Sequence, residues 1–211
     1  MPLVIHPRVR TSLGLILGVT CGVLFAGAGA ASADSAASGA CSPQTLSTPF
    51  SQWGDTNSYF LVPGGSFEGT ADQVGWTLDG ATLTAGNEPF NVGGASDDQS
   101  LTIDAGGSAT SPFFCVDDTM SDLRMFAQQV SSGGDLRVRA LVQTPNGVVR
   151  VPLGDLADGS MTDWAPTQPI TANTAAIPDG ESVMAALRFS VPGSDGAWQL
   201  DDIYVDPWRS G

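Results

Sequence analysis

The residues of this chain that could do chemistry are carboxylates and arginines, because the usual pairs of nucleophile and base are missing. The only histidine, His6, lies in an N-terminal stretch that has the pattern of a cleaved leader. The mature chain therefore lacks a Ser-His-Asp site, a Cys-His site and a zinc site with histidine ligands. The glutamates Glu68, Glu88 and Glu181 all lie in turns rich in glycine or proline. The sequence predicts a protein that is not an enzyme, and the remaining catalytic alternative is a glycoside hydrolase that uses two carboxylates.

Two adjacent carboxylates, Asp201 and Asp202, interrupt the last apolar stretch of the chain. Trp198 and Leu200 keep one phase of a period-two alternation, and the apolar residues after the pair keep the opposite phase. The apolar residues before and after the pair can all face one core only if the register of the strand shifts by one residue at the aspartates. A β-bulge produces such a shift and changes the direction of a side chain. Converging carboxylates suit calcium. The alternative is a pair of solvated aspartates, as we also interpret 97–98 and 117–118.

The arginines form the second chemical feature. Without its first 33 residues the chain has six arginines, no lysine and 22 acidic residues, a formal charge of −16. This charge disfavours nucleic acid and anionic membranes as partners. Alternation turns a set of polar and aromatic side chains outward, and we predict that they bind a ligand through directed donors and an apolar platform. The candidates are Arg124, Phe126, Gln128, Arg137, Arg139, Gln143, Arg150 and Arg188, with Trp164 as an exposed loop aromatic. The alternative is that isolated arginines protect strand edges.

The elements that must position these residues are short strands. Between frequent glycines and prolines lie runs with period two, which predict an all-β sandwich. The predicted strands are 59–62, 74–78, 81–84, 100–103, 109–116, 123–128, 136–144, 148–153, 182–191 and 198–205. Asn146-Gly147 suits the centre of a type I′ hairpin turn that pairs Thr144 with Val149. No amphipathic helix is predicted.

The N-terminus predicts export. Arg8 and Arg10 precede an apolar run at 13–31 and a small-residue cleavage pattern, so residues 1–33 are predicted to be a signal peptide. The alternative is an uncleaved anchor. After cleavage we expect a secreted protein, with no membrane insertion, that has a flexible segment at 34–50 and one β-sandwich domain at 51–211. Cys41 and Cys115 then remain, and two cysteines in an exported chain predict one disulfide.

Three short motifs resemble the jelly-roll modules of the galactose-binding-like superfamily, which include families of carbohydrate-binding modules. They are Gly65-Ser66-Phe67-Glu68-Gly69, the Val-Gly-Trp-Thr run at 74–77 and the closing strand at 198–205. The resemblance implies an antiparallel β-sandwich of the jelly-roll class. It also implies a structural calcium held by Glu68 and by Asp201 or Asp202.

The same resemblance implies glycan binding on the outer concave face of one sheet, although no pair of tryptophans is placed there as a platform. We therefore predict a secreted, non-catalytic module for extracellular or cell-wall glycans, with a polysaccharide or another wall component as partner. The alternative is a secreted structural or protein-interaction domain without a small ligand. Polysaccharide pull-down assays distinguish the two hypotheses.

Overall fold

The computed structural model describes residues 41–172, 177 and 179–207. The predicted signal peptide lies outside them. Two short helical segments occur, a 3₁₀ turn at Ser51–Trp53 and helix α1 at Ala71–Val74, and no helix in the described part is long and apolar enough to cross a membrane. The strands are β1 (Phe60–Leu61), β2 (Thr77–Ala85), β3 (Gln99–Thr110), β4 (Phe114–Asp117), β5 (Asp122–Ser131), β6 (Leu136–Thr144), β7 (Gly147–Leu156), β8 (Ala165–Pro166), β9 (Ile170–Thr171), β10 (Ser182–Ser190) and β11 (Ala197–Asp206).

All strand pairings in the described part are antiparallel, and they form one sheet that curls into two layers. The first layer contains β7, β6, β10 and β4, and the second contains β2, β3, β11, β5 and β8. Strand β3 belongs to both, because it pairs with β11 near its start and with β10 near its end. Gly107 lies between these pairings, where a Cβ atom would come 2.2 Å from the Gly80 carbonyl oxygen. Only glycine permits this close approach.

The core lies between the layers, as the alternation predicts. Leu187 and Phe189 of β10 and Trp198 and Leu200 of β11 are buried in one apolar cluster. The slip predicted in the closing strand is confirmed, since the register of β11 against β5 shifts between Asp201 and Tyr204. The fold is an antiparallel β-sandwich. Because of the slip in β11, the apolar residues before it and those after it both face the core.

Local predictions were wrong where a turn competed with a strand. Residue Val74 ends helix α1 instead of starting a strand, and Pro112, which cannot donate to the sheet, separates β3 from β4. In the β6–β7 hairpin Thr144 pairs with Gly147, so Pro145-Asn146 forms the turn and the register differs by two residues from the prediction. A shift of two preserves the face of every side chain.

A disulfide between Cys41 and Cys115 joins the start of the described chain to β4. The cysteines are 74 positions apart in sequence. A cross-link that closes so long a loop restricts the unfolded chain more than the folded one. The predicted disulfide is present.

We expect replacement of both Cys41 and Cys115 by alanine to lower the free energy of unfolding by about 2–5 kcal/mol. Urea unfolding of the variant and the unreduced wild-type protein measures the difference. The same loss should appear when the wild-type protein is reduced, and equal stability in all three samples would contradict this role of the disulfide.

Candidate metal centre and ligand cleft

Three carboxylates from distant parts of the chain converge at one end of the second layer. The side chains of Glu88, Asp97 and Asp202 are buried, and one oxygen from each lies within 4.8 Å of the others. Two of the three residues come from the loop that joins β2 to β3, and the third comes from the bulge of β11.

The bulge directs Asp202 into this cluster. Its φ of 46° is left-handed, which is uncommon for a residue other than glycine. Asp201 instead accepts backbone amides: one carboxylate oxygen accepts the Glu88 N–H of the loop at 3.3 Å, and the other accepts the N–H of the neighbouring Asp202 at 2.8 Å. The bulge therefore separates two adjacent aspartates into a cluster member and a loop support.

Glu68 fixes the far end of the same loop. Its Oε1 accepts the backbone N–H groups of Asp98 and Gln99, both at 2.8 Å. Burial acts to raise the pKa of Glu68, but its interactions with Asp97 and with these two amides lower it. The turn that carries Glu68 is joined to β11 at the bulge, because Ile203 donates its N–H to the Gly65 carbonyl oxygen at 3.0 Å.

The predicted metal ligands therefore take different positions. Asp202 lies in the cluster, whereas Glu68 and Asp201 bind the backbone of the loop around it. Sequence reasoning missed Glu88, which was assigned to a turn, and it interpreted Asp97 as solvated although its exposed fraction is 6%. The useful indication was the Asn-Glu-Pro turn at 87–89, where a buried glutamate can accept the amides of its own turn.

The buried carboxylates of the cluster must either carry protons or be neutralised by a cation. Neither carboxylate oxygen of Asp97 or Asp202 has a hydrogen-bond partner among the described residues. Burial, followed by the neighbouring acidic groups, raises the pKa of Asp97 to about 8, of Asp201 to about 9 and of Asp202 to about 7. Buried carboxylates without a cationic side chain are typical of metal sites. Hard oxygen ligands of this kind fit calcium.

The predicted ligand-binding residues divide between the outer faces of the two layers. On the first layer Arg188 lies opposite Arg139, which forms an ion pair with Asp155 at 2.7 Å. Arg188 donates to the Thr110 hydroxyl at 3.1 Å. The residues on this arginine face are Arg137, Arg139, Gln143, Arg150 and Arg188.

Arg124 and Phe126 belong to the second layer, and their predicted exposure is wrong. Phe126 is fully buried, with the Phe50 ring stacked on it at 5.4 Å between centroids. Ser47 pairs with Tyr59, so residues 47–59 cover this outer face, including part of the segment predicted to be flexible. Alternation identifies the face of a strand but not whether another segment covers it.

Arg124 holds this covering segment in place. Its guanidinium pairs with Asp55 at 2.5 Å, donates to the Thr167 carbonyl oxygen at 2.9 Å and lies 4.2 Å from the centre of the Phe50 ring. The Tyr59 hydroxyl also donates to Asp55, at 2.7 Å. Burial acts to raise the pKa of Asp55, but bonds from Tyr59, the Asn57 amide and Arg124 lower it.

A cleft of about 540 Å³ opens beside the covering segment. Trp53 borders it with an exposed fraction of 36% and rests against Phe90 at 4.9 Å and Phe126 at 5.3 Å. The remaining lining residues are Gly54, Asp55, Arg124, Ala165, Pro166, Gln168 and Pro169. An exposed indole beside planar amide, carboxylate and guanidinium groups can contact both an apolar surface and hydroxyl groups of a ligand.

Two further predicted residues lie on this layer but not in the lining of the cleft. Gln128 donates to Gln199 at 2.5 Å on the outer face of β5 and β11. Trp164 is half-buried against the aromatic cluster of Phe50, Tyr59, Phe126 and Tyr204. The cleft tryptophan is thus Trp53, which was not among the predicted ligand-binding residues.

Comparison with known proteins gives structural likenesses only. No family model matches the sequence, and no curated protein matches it. Among solved structures, the chain is similar to the CBM22-1 xylan-binding domain of Paenibacillus barcinonensis Xyn10C, at 15% identity and a TM-score of 0.45 over 67% of this chain and 90% of that one. The CBM22-1–GH10 modules of Clostridium thermocellum xylanase 10B give 15% identity and a TM-score of 0.48 over 70% and 28% of the two chains.

A third similar structure is a family 16 carbohydrate-binding module, with 18% identity and a TM-score of 0.40 over 69% of this chain and 98% of that one. All three likenesses have TM-scores below 0.5, so the antiparallel β-sandwich described above rests on the strand pairings of this chain itself.

Proposed function

We propose that this protein is a secreted, non-catalytic module that binds an extracellular glycan at the Trp53 cleft and holds a calcium ion in the Glu88–Asp97–Asp202 cluster. The observation that carries the glycan proposal is the partly exposed Trp53 indole, supported from behind by two aromatic rings. A rigid aromatic surface offers contact area to the C–H face of a sugar ring at a low cost in conformational entropy. Gln168, Asp55 and Arg124 supply donors and acceptors for hydroxyl groups.

The polar lining of the cleft supports a role without catalysis. Asp55 is the one carboxylate among its lining residues, and its lowered pKa favours the ionised form. Hydrolysis of a glycosidic bond ordinarily uses two carboxylic groups on opposite sides of the bond. Asp55 instead pairs with Arg124, which makes it a hydrogen-bond acceptor of fixed position.

The calcium proposal depends on the carboxylate cluster. The four carboxylate oxygens of Asp97 and Asp202 are buried without a hydrogen-bond partner in the described part of the chain, and one oxygen of each lies within 4.8 Å of an oxygen of Glu88. A bound calcium ion would neutralise these groups and join the β2–β3 loop to the bulge of β11. Asp201 and Glu68 would keep the loop backbone in place around it.

A second candidate function is a protein-interaction domain that uses the arginine face. Arg137 and Arg150 are exposed there without an ion pair in the described part of the chain. An acidic surface of another protein would be attracted to these guanidinium groups. In that case the protein binds no polysaccharide, and exchange of both arginines for glutamine weakens a salt-sensitive protein contact.

We expect calcium to stabilise the protein and EDTA to reverse the effect. At a calcium concentration 100 times Kd the gain is about 2.7 kcal/mol, or roughly 5–10 °C in Tm for a domain of this size. Differential scanning calorimetry with calcium and with EDTA measures the shift. Asp97→Asn should abolish it, whereas Asp104→Asn, which changes an exposed aspartate of β3, should preserve it.

We also expect the metal-free protein to lose stability between about pH 4 and about pH 9. The folded-state pKa values of Asp97, Asp201 and Asp202 lie above the unfolded value, so their contribution is complete below about pH 4 and is lost as the pH rises through the folded values. Calcium requires ionised ligands, so its stabilising effect should grow over the same interval. Urea unfolding at each pH tests this, and metal-free stability that rises with pH would contradict it.

For the glycan site we expect Trp53→Ala to weaken binding roughly 10- to 100-fold, the usual effect of removing a central aromatic contact. Affinity electrophoresis and pull-down with xylan, cellulose, chitin and peptidoglycan provide the assay. Phe113→Ala is the matched control, because Phe113 is exposed to the same extent, 37%, and is not a lining residue of the cleft. Failure of the wild-type protein to bind any of these polymers, or equal binding by Trp53→Ala, would overturn the proposal.

A further inference from the structure

The β2–β3 loop belongs to both candidate sites. Glu88 and Asp97 are members of the carboxylate cluster, and Phe90, between them in sequence, contacts the tryptophan of the cleft. The loop begins at Gly86, whose N–H donates to the Asp98 carbonyl oxygen at 2.7 Å, so its two ends are joined. A change in the cluster therefore acts on a closed loop that carries Phe90.

Glu88 connects the cluster to Phe90 directly. Its carboxylate accepts the backbone N–H of Phe90 through one oxygen and the N–H of Val92, at 2.6 Å, through the other. The carboxylate lies within 4.8 Å of oxygens of Asp97 and Asp202. The position of Glu88 therefore fixes both one side of the metal cluster and the turn that carries Phe90.

Phe90 in turn supports Trp53. The two rings meet edge to face, with an interplanar angle of 86° and 4.9 Å between centroids. Trp53 lies in a short 3₁₀ turn that has no buried residue of its own. Its orientation therefore depends on the aromatic rings behind it, Phe90 and Phe126.

Without a cation, three buried carboxylates face one another, and four of their oxygens lack any hydrogen-bond partner in the described part of the chain. When these carboxylates are ionised, their repulsion favours any loop conformation that moves Glu88 and Asp97 away from Asp202. A cation removes that repulsion and favours the conformation in which Phe90 rests on Trp53. The two sites therefore share the β2–β3 loop, and a bound cation favours one conformation of that loop.

We propose that cation binding at the Glu88–Asp97–Asp202 cluster positions Phe90 and, through it, the Trp53 surface of the cleft, so that calcium and the cleft ligand promote each other's binding. Phe90 is a positioning residue: it is neither a member of the carboxylate cluster nor a lining residue of the cleft, and it acts through its contact with Trp53. The proposal rests on the proposed function for the identity of the cleft ligand, but its first test requires calcium alone.

The first experiment titrates calcium into EDTA-treated protein and measures tryptophan fluorescence with acrylamide quenching. The Trp53→Phe variant identifies the part of the response that belongs to Trp53. We expect calcium to reduce the quenching of Trp53 in the wild-type protein. Phe90→Ala should keep the calcium-dependent rise in Tm and lose the fluorescence response, and Phe90→Leu should restore part of it. Val130→Ala, an exposed change on β5, should preserve both.

The second experiment measures binding to the polysaccharide that the wild-type protein retains, with calcium and with EDTA. A coupling of roughly 5-fold or more is expected, and by linkage the polysaccharide should raise calcium affinity by the same factor. Phe90→Ala should reduce that factor to about 1. The inference is overturned if calcium raises Tm without changing Trp53 quenching, if Phe90→Ala retains the response, or if calcium has no effect on either.

The two proposals fail in different ways. If no polysaccharide binds but calcium still alters Trp53 quenching through Phe90, the glycan function is wrong and the coupling stands. If a polysaccharide binds equally well with calcium and with EDTA, the glycan function stands and the coupling is wrong.

Discussion

Carboxylates buried without a cationic side chain need protons or a metal ion, and this requirement accounts for several unusual features at one end of the molecule. Asp202 adopts a left-handed conformation to enter the cluster. Gly93 lies so close to Asp97 that a Cβ atom would be 2.0 Å from its carboxylate oxygen. Phe67, just before Glu68, also has a positive φ, of 57°. Local strain of this kind is maintained only where the surrounding structure enforces it, and the carboxylate cluster lies at the centre of these residues.

The outer face of the second layer shows a different solution to burying charge. There Arg124 and Asp55 neutralise each other: the Arg124 side chain is buried against the Phe50 ring, and the partly exposed Asp55 carboxylate also accepts the Tyr59 hydroxyl. Loss of Asp55 would leave the Arg124 guanidinium buried without its anionic partner. The pair thus attaches the covering segment, and through it Trp53, to the sheet by a specific contact in addition to apolar packing.

The sequence predicted what local alternation can determine. The β-sandwich, the inward face of β10 and the slip at Asp201-Asp202 all follow from the period of apolar residues, and the disulfide follows from the number of cysteines in an exported chain. The location of Glu88 and Asp97 in one cluster could not be predicted, because it depends on how a loop of irregular conformation folds against a distant strand. The burial of Arg124 and Phe126 depends likewise on a segment more than 60 positions earlier in the sequence. Contacts of that range leave no periodic pattern.

Strand β7 ends the first layer, and one of its edges has no hydrogen-bonded neighbour in the described part of the fold. Such an edge can pair with the same edge of another molecule and begin aggregation. Two residues of β7 oppose this. Pro152 has no N–H to donate to an added strand, and the exposed Arg150 would face like charge in an incoming copy. Neighbouring Val148 and Val149 are half-exposed or more. The proline and the arginine therefore lie beside the exposed apolar part of this edge. Arg150 thus has a role in the monomer that is independent of any ligand: together with Pro152 we expect it to disfavour pairing of the β7 edge with a second copy.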